Sequence, residues 1–284
     1  MVKRPRSMFA AVAGVAMVAS LAASSTIEGT WSSAASLGTR GAANAKMSRV
    51  VYVDNFSGPL DTKRLNTCFW WDDSGCTIAT NHELEWYLPS GVSVSNGALH
   101  LTARAVPVRN RQGHVFPYRS GMVSTGPVSA RDSTSKLAFT YGRVEARVRM
   151  TKGAGLWPAV WLLPASRRSR PEIDILEVVG QRPHEALFHL HPKGANSDSL
   201  AHVARLPGPT FDDGWHVVAV NWRPRKLEWF LDGKSLWRVT GARVPSEPMY
   251  LVMNLAVGGD YPGTPPSKHV FPATFSIDYV RIIK

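Results

Sequence analysis

The chain is poor in cysteine: Cys68 and Cys76 are the only two among 284 residues. Neither has metal-ligand spacing with a histidine pair, which excludes a cysteine-built metal module. Two readings of the pair stay open, a local disulfide that pins a loop and two buried thiols; an oxidising compartment favours the first. Acidic residues are the minority, 21 against 33 Lys and Arg, for a net charge of +12. The basic residues are scattered and no nucleic-acid-binding motif accompanies them, so no nucleic-acid partner is expected. A solvated basic surface accounts for the excess, as does one suited to an anionic cell wall. Long helical periodicity is missing, as are internal repeats and any linker after residue 46. Beyond the N-terminus no apolar run is long enough to span a bilayer.

The N-terminus has its own character. Lys3, Arg4 and Arg6 precede an apolar stretch from Met8 to Ala23, which Ser24, Ser25 and Thr26 follow. That order is the pattern of an export signal. Residues 24–46 are rich in Ser, Ala and Gly and read as a disordered leader. The expected division is a signal peptide and leader over 1–45 and one domain over 46–284. An uncleaved N-terminal anchor is the alternative. The expected location is extracellular, with no membrane contact once the signal is removed, and a monomer is expected.

What the chain has is strand signal. Hydrophobic residues make up 44% of it, enough for one large core. Gly142–Met150 alternates polar and apolar residues, the pattern of a half-buried strand. Trp215–Trp222 and Ala273–Ile283 read as strands too. Leu227–Leu231 and Leu236–Val239 flank Asp232-Gly233, a hairpin turn. Ser90-Gly91 and Asn96-Gly97 punctuate Val92–Val94 and Ala98–Ala103. Many short strands separated by turns predict an all-β fold, a β-jelly-roll sandwich of two antiparallel sheets with a concave cleft.

One segment stands out chemically. Glu172-Ile173-Asp174-Ile175-Leu176-Glu177 puts three carboxylates into an apolar run that continues through Val179. In a regular strand Glu172 and Asp174 share a face and Glu177 points away. A β-bulge near Ile175–Leu176 inserts one residue and brings all three to one side. Two glutamates facing one cleft are the equipment of a glycosidase. A surface helix that starts at Pro171 and stops at Gly180 also explains the acids. Its β-branched content and shortness argue against it.

Other segments point the same way. In order they are His82-Glu83-Leu84-Glu85-Trp86-Tyr87, Asn96-Gly97-Ala98-Leu99, Tyr118-Arg119-Ser120-Gly121, Tyr141-Gly142-Arg143-Val144-Glu145 and Gly155-Leu156-Trp157-Pro158-Ala159-Val160-Trp161. After the acidic segment come Leu251–Gly259 and Ile277-Asp278-Tyr279-Val280-Arg281. Together they resemble glycoside hydrolase family 16 over residues 49–284. The resemblance implies a retaining jelly-roll enzyme that cuts β-linked glucans or galactans. By that likeness Glu172 is the nucleophile, Glu177 the general acid/base, and Asp174 hydrogen-bonds and tunes the nucleophile. The two residues between Asp174 and Glu177 resemble the bulged, laminarinase-like branch and imply an endo-β-1,3-glucanase, with mixed β-1,3/1,4 linkages allowed. Agarases and carrageenases share that spacing, so a galactan substrate stays open. A transglycosylase and a non-catalytic glucan-binding protein are further alternatives. Pro171 departs from the usual Gly, and the basic stretch Ser166–Arg170 before it leaves the shape of the subsites open.

Trp157 and Trp161, four residues apart, share a strand face and read as a sugar-stacking platform or as core. By resemblance His189 faces the cleft; His191 reads as an ordinary surface residue. Asn81, Tyr118 and Arg119 resemble sugar-binding positions, and each fits a turn or framework role equally well. Asn254, in an apolar strand, requires a buried hydrogen-bond partner. Asp278 matches an oxygen ligand of the structural Ca²⁺ that many family members bind; an exposed charge on an edge strand is the alternative. Catalysis is expected to need no cofactor, and a β-glucan polysaccharide is the expected partner.

Overall fold

The structure is a computed structural model that describes residues 49–284, apart from 69–74, 128, 130, 131, 133, 195–198 and 207–209. The signal and leader read over residues 1–45 lie outside the described residues. Met47–Lys284 forms one compact unit. Among the described residues there is no α-helix, only three short 3₁₀ turns, and no helix is long and apolar enough to cross a membrane.

The strands, in chain order, begin with β1 (Val50–Asp54), β2 (Glu85–Tyr87), β3 (Val92–Ser95), β4 (Ala98–Ala103), β5 (Val108–Arg109) and β6 (Val115–Phe116). Next come β7 (Tyr118–Ser120), β8 (Met122–Ser124), β9 (Gly142–Met150), β10 (Leu156–Pro164), β11 (Glu172–Glu177) and β12 (Glu185–His191). The last are β13 (Leu200–Arg205), β14 (His216–Arg223), β15 (Lys226–Leu231), β16 (Lys234–Thr240), β17 (Met249–Val257) and β18 (Ala273–Ile283). An eight-stranded sheet runs β16-β15-β14-β9-β18-β4-β3, with β1 paired to β18. A six-stranded sheet runs β13-β12-β11-β10-β17-β8. Both are antiparallel throughout, so the all-β sandwich of two antiparallel sheets expected from the sequence is the observed fold.

Local chemistry accounts for the elements. Val144, Ala146, Val148 and Met150 alternate inward along β9 into the core between the sheets. Asp232 and Gly233 both have positive φ, 50° and 78°, as the tight turn of the β15–β16 hairpin requires. Asn96 and Gly97, at 51° and 71°, do the same between β3 and β4. Strands β10 and β17 are buried along nearly their whole length because both of their faces are covered. Their inward side chains, such as Val160, Leu162, Leu251 and Met253, join the main core. Their outward ones, Ala159, Trp161, Leu163, Tyr250 and Val252, join a second cluster with Ile78, Tyr87 and Met122. That second cluster is the floor on which the functional site rests.

The core also reaches into the acidic strand. Trp229 on β15 is fully buried, stacks on Trp237 at 4.3 Å, and donates its Nε1–H to the Asp174 carbonyl at 2.8 Å. This is a hydrogen bond from the eight-stranded sheet to the backbone of β11, made where the β11 ladder is interrupted. Losing it strands a buried carbonyl. Trp229→Phe should therefore lower unfolding free energy in urea by about 1–3 kcal/mol. A loss under roughly 0.5 kcal/mol, within the range of inconsequential substitutions, would show that this bond does not hold the strand.

Candidate active site

The expected bulge is present in β11. On the β10 side Trp161 pairs with Asp174 and Val160 with Leu176, so Ile175 has no partner of its own. On the β12 side Asp174 pairs with His189 and Glu177 with Leu187. The extra residue sends Ile175 and Leu176, two neighbours in sequence, into the same core as Ile173. Glu172, Asp174 and Glu177 are thereby left on the opposite face, where all three line one cavity.

Each carboxylate has distinct partners. Glu177 is held at both oxygens: Trp157 Nε1 donates to Oε1 at 2.9 Å, and His189 Nδ1 makes a short hydrogen bond with Oε2. Asp174 is nearly sealed and has His191 Nε2 at 3.3 Å from Oδ2. The same His191 nitrogen lies 3.7 Å from Glu172 Oε1. Asp174 stands between the glutamates, with oxygens within 4.8 Å of those of Glu172 on one side and Glu177 on the other. Burial, then the neighbouring charge of Asp174, pushes the Glu172 carboxyl well above the usual range. Burial, then the charge of Glu177, does the same to Asp174. Burial works against protonation of His189, but its hydrogen bond to Glu177 and that group's charge prevail and raise it.

The cleft over this face encloses about 420 Å³ and is lined by Ile78, Thr80, Asn81, Trp157, Trp161, Ser169, Arg170, Glu172, Glu177, His189, His191 and Tyr261. Its back wall is a polar chain: Trp161 Nε1 donates to Asn254 Oδ1 at 2.8 Å, and Asn254 Nδ2 donates to Tyr87 OH at 3.0 Å. Below lie two further buried acids. Glu83 accepts from Asn81 Nδ2 at 3.0 Å, and Glu85 accepts from the Val257 amide at 2.7 Å. Among the described residues Glu83 Oε2 and Glu85 Oε1 are buried with no hydrogen-bond partner, and burial raises both carboxyls. Gly259 brings the loop after β17 over Asn81: its φ is 99°, and a Cβ there would lie 2.6 Å from the Asn81 carbonyl.

The expected residues divide by position. Trp157 and Trp161 do share the cleft face; Trp161 is the buried floor, while Trp157 is half-buried and packs against Tyr261 at 5.2 Å. Asn81 and His189 line the cleft. Asn254 has the buried partners its setting demanded. Tyr118 and Arg119 are not among the cleft residues. Tyr118 points into the main core and stacks on Phe271 at 4.9 Å, and the Arg119 backbone pairs with Arg104 and Trp86, so the framework reading applies to both. His191 is no ordinary surface residue: the register that sets His189 opposite Asp174 sets His191 opposite Glu172. Tyr261 escaped sequence reading because a loop distant in the chain delivers it. Cys68 and Cys76 form the disulfide. Asp278 lies on the eight-stranded sheet, where its Oδ2 accepts from Arg147 Nη1 at 2.8 Å. Among the described residues, the triads of His, Cys, Asp or Glu close enough to share a cation are Glu172–Asp174–His191 and Asp174–Glu177–His189; neither includes Asp278.

A two-sheet sandwich with paired glutamates across a cleft defines a class, and comparison with known proteins agrees. The sequence profile of glycosyl hydrolases family 16 matches residues 81–281. The chain belongs to that family. It is 32% identical over 262 residues to glucan endo-1,3-beta-glucosidase A1 of Niallia circulans, covering 83% of this chain and 38% of that protein. It is 32% identical over 240 residues to endo-1,3-1,4-beta-glycanase EglC of Rhizobium meliloti, covering 80% and 48%. The chain thus spans half or less of the length of these two relatives. Among solved structures, the endo-beta-1,3-glucanase of Pyrococcus furiosus superposes with a TM-score of 0.74 at 31% identity, covering 84% of this chain and 94% of that one.

The Glu83–Glu85 pair has a measurable signature. Burial, and then the charge of Glu83, raises Glu85 well above its usual value. An acid raised by folding contributes fully below its unfolded pKa, about 4.3, and loses that contribution as pH climbs toward the folded value. Tm should therefore fall as pH rises from 5 to 9. Glu85→Gln, which keeps a donor toward Glu83, should flatten the slope. An unchanged slope in the variant would show that Glu85 does not carry the pH dependence.

Proposed function

We propose that this chain is an endo-acting, retaining β-glucan hydrolase that cuts β-1,3 linkages and tolerates mixed β-1,3/1,4 chains. The observation that carries the reading is the bulge that sets Glu172, Asp174 and Glu177 side by side on the cleft face. The printed activities of the relatives from Niallia circulans and Rhizobium meliloti support the linkage. The export-like N-terminus supports action outside the cell, and we take the enzyme to be a monomer.

In this reading Glu172 attacks the anomeric carbon while Glu177 delivers a proton to the departing glycosidic oxygen. A glycosyl ester on Glu172 results. Glu177, now a base, draws a proton from water, which hydrolyses the ester with net retention. The structure suits these roles. Burial raises both Glu172 and Asp174, with the charge of Asp174 adding to it at Glu172 and the charge of Glu177 adding to it at Asp174. Attack requires Glu172 to be ionised, and Asp174, with 4% of its side chain exposed against 20% for Glu172, is the neighbour whose protonation permits it. Glu177, hydrogen-bonded to His189 Nδ1, is in this reading the group that delivers the proton to the leaving oxygen. Trp157 fixes Glu177 from its other side and presents its ring, beside Tyr261, to the sugar.

Glu172→Gln and Glu177→Gln should each reduce reducing-sugar release from laminarin by about 10²–10⁴-fold or more, with circular dichroism unchanged. The wild type should act on laminarin and curdlan ahead of xyloglucan and agarose. Wild-type rates in either variant would sink the assignment, and activity on agarose alone would overturn the substrate.

A further inference from the structure

The basic turn over residues 166–170 takes no part in this chemistry, yet it borders it. Arg167 reverses the chain there: its φ is 63°, and its amide donates to the Pro164 carbonyl at 3.0 Å. The reversal leaves Arg168 and Ser169 exposed and places Arg170 two residues before Glu172. On the neighbouring strand His191 pairs with Glu172, and the chain runs on into Pro192-Lys193-Gly194. The two loops therefore meet at the same end of the sheet. Between them is a second hollow of about 390 Å³, lined by Arg168, Ser169, Arg170, Lys193 and Gly194. Ser169 and Arg170 also line the cleft, so the hollow continues it past Glu172.

Among the described residues the hollow carries three cations and no lining carboxylate. Elsewhere cations sit on acids at short range, as in Arg143–Glu145 at 2.7 Å, Arg147–Asp278 at 2.8 Å and Arg238–Glu228 at 2.6 Å. Here Arg168 has no ion-pair partner among the described residues. Lys193 reaches Glu247 at 3.5 Å with 65% of its side chain exposed. Like charges gathered around a concavity raise the local potential, and an anion relieves it. Guanidinium forks and an ammonium bind sugar hydroxyls, but they bind carboxylates more strongly through charge-assisted hydrogen bonds.

We propose that Arg168, Arg170 and Lys193 form an anion-accepting subsite at the Glu172 end of the cleft, and that the enzyme prefers β-glucan chains bearing acidic substituents over neutral ones. The inference rests on the glucanase reading and narrows its substrate class. The test compares kcat/KM on laminarin with that on the same laminarin lightly carboxymethylated. Wild type should favour the acidic polymer about tenfold at low salt, through KM, which corresponds to about 1.4 kcal/mol. The preference should shrink near 1 M salt, where the Debye length is about 3 Å. Arg168→Gln/Lys193→Gln should remove it by raising KM for the acidic polymer to that for neutral laminarin. A control of equal charge change at distant exposed positions, Arg111→Gln/Lys234→Gln, should keep it. Equal KM for both polymers at low salt would overturn the proposal. So would a preference that survives in the first variant or vanishes equally in the control. If neither polymer is cut, the glucanase reading fails, and affinity electrophoresis through gels holding either polymer decides the subsite. Retardation by the acidic polymer that only the first variant loses supports it; equal retardation of both variants overturns it.

Discussion

The site depends on Ile175, the residue that has no partner of its own in the β10–β11 register. A regular strand would turn Glu177 into the apolar core or Glu172 away from its partner, because side chains alternate every residue. The bulge avoids both by placing two consecutive apolar side chains, Ile175 and Leu176, on the buried face. A bulge interrupts the ladder and leaves backbone groups to be satisfied otherwise. Trp229 supplies that from the opposite sheet through its bond to the Asp174 carbonyl. The core and the chemistry are thus joined at one peptide group.

Carboxyl crowding is the second constraint. Glu83, Glu85, Glu172, Asp174 and Glu177 lie in or beneath one cleft, and ionising all of them there would be prohibitive. The structure meets this in three ways. Burial raises Glu83 and Glu85 beneath the floor, where Glu83 also borders the cavity of the reacting carboxylates. Burial also raises Glu172 and Asp174, and His191 Nε2 stands beside both. Glu177 is held by two ring nitrogens, Trp157 Nε1 and His189 Nδ1, with Asp174 as its acidic neighbour. Three carboxyls on one strand thus have three different environments, and this difference lets them take different roles.

Much of this was legible in the sequence, and the remainder was hidden for definite reasons. The alternation of Gly142–Met150 and the Asp232-Gly233 turn signalled strands because period and turn chemistry are local. The bulge could be read because Glu172, Asp174 and Glu177 fall out of phase in a regular strand. His191 was misplaced because its role follows from the β11–β12 register, which sets it opposite Glu172, and pairing register is not a local property. Tyr118 and Arg119 carried family-like letters, but the parallel pairing of β7 with β2 leaves both outside the cleft. Tyr261 was hidden because its loop reaches the already suspected Asn81 through the Asp260 amide and the Asn81 carbonyl, a contact between segments far apart in the chain.

The central claim is that Glu172 is the nucleophile and Glu177, five residues on, the acid/base. The most direct test is to incubate the wild-type protein with a 2-deoxy-2-fluoro laminaribiosyl fluoride and map the labelled peptide by mass spectrometry. The account predicts one stoichiometric glycosyl ester, located on Glu172. An ester on Glu177 or Asp174, or an active enzyme that forms none and releases product of inverted configuration, would contradict it.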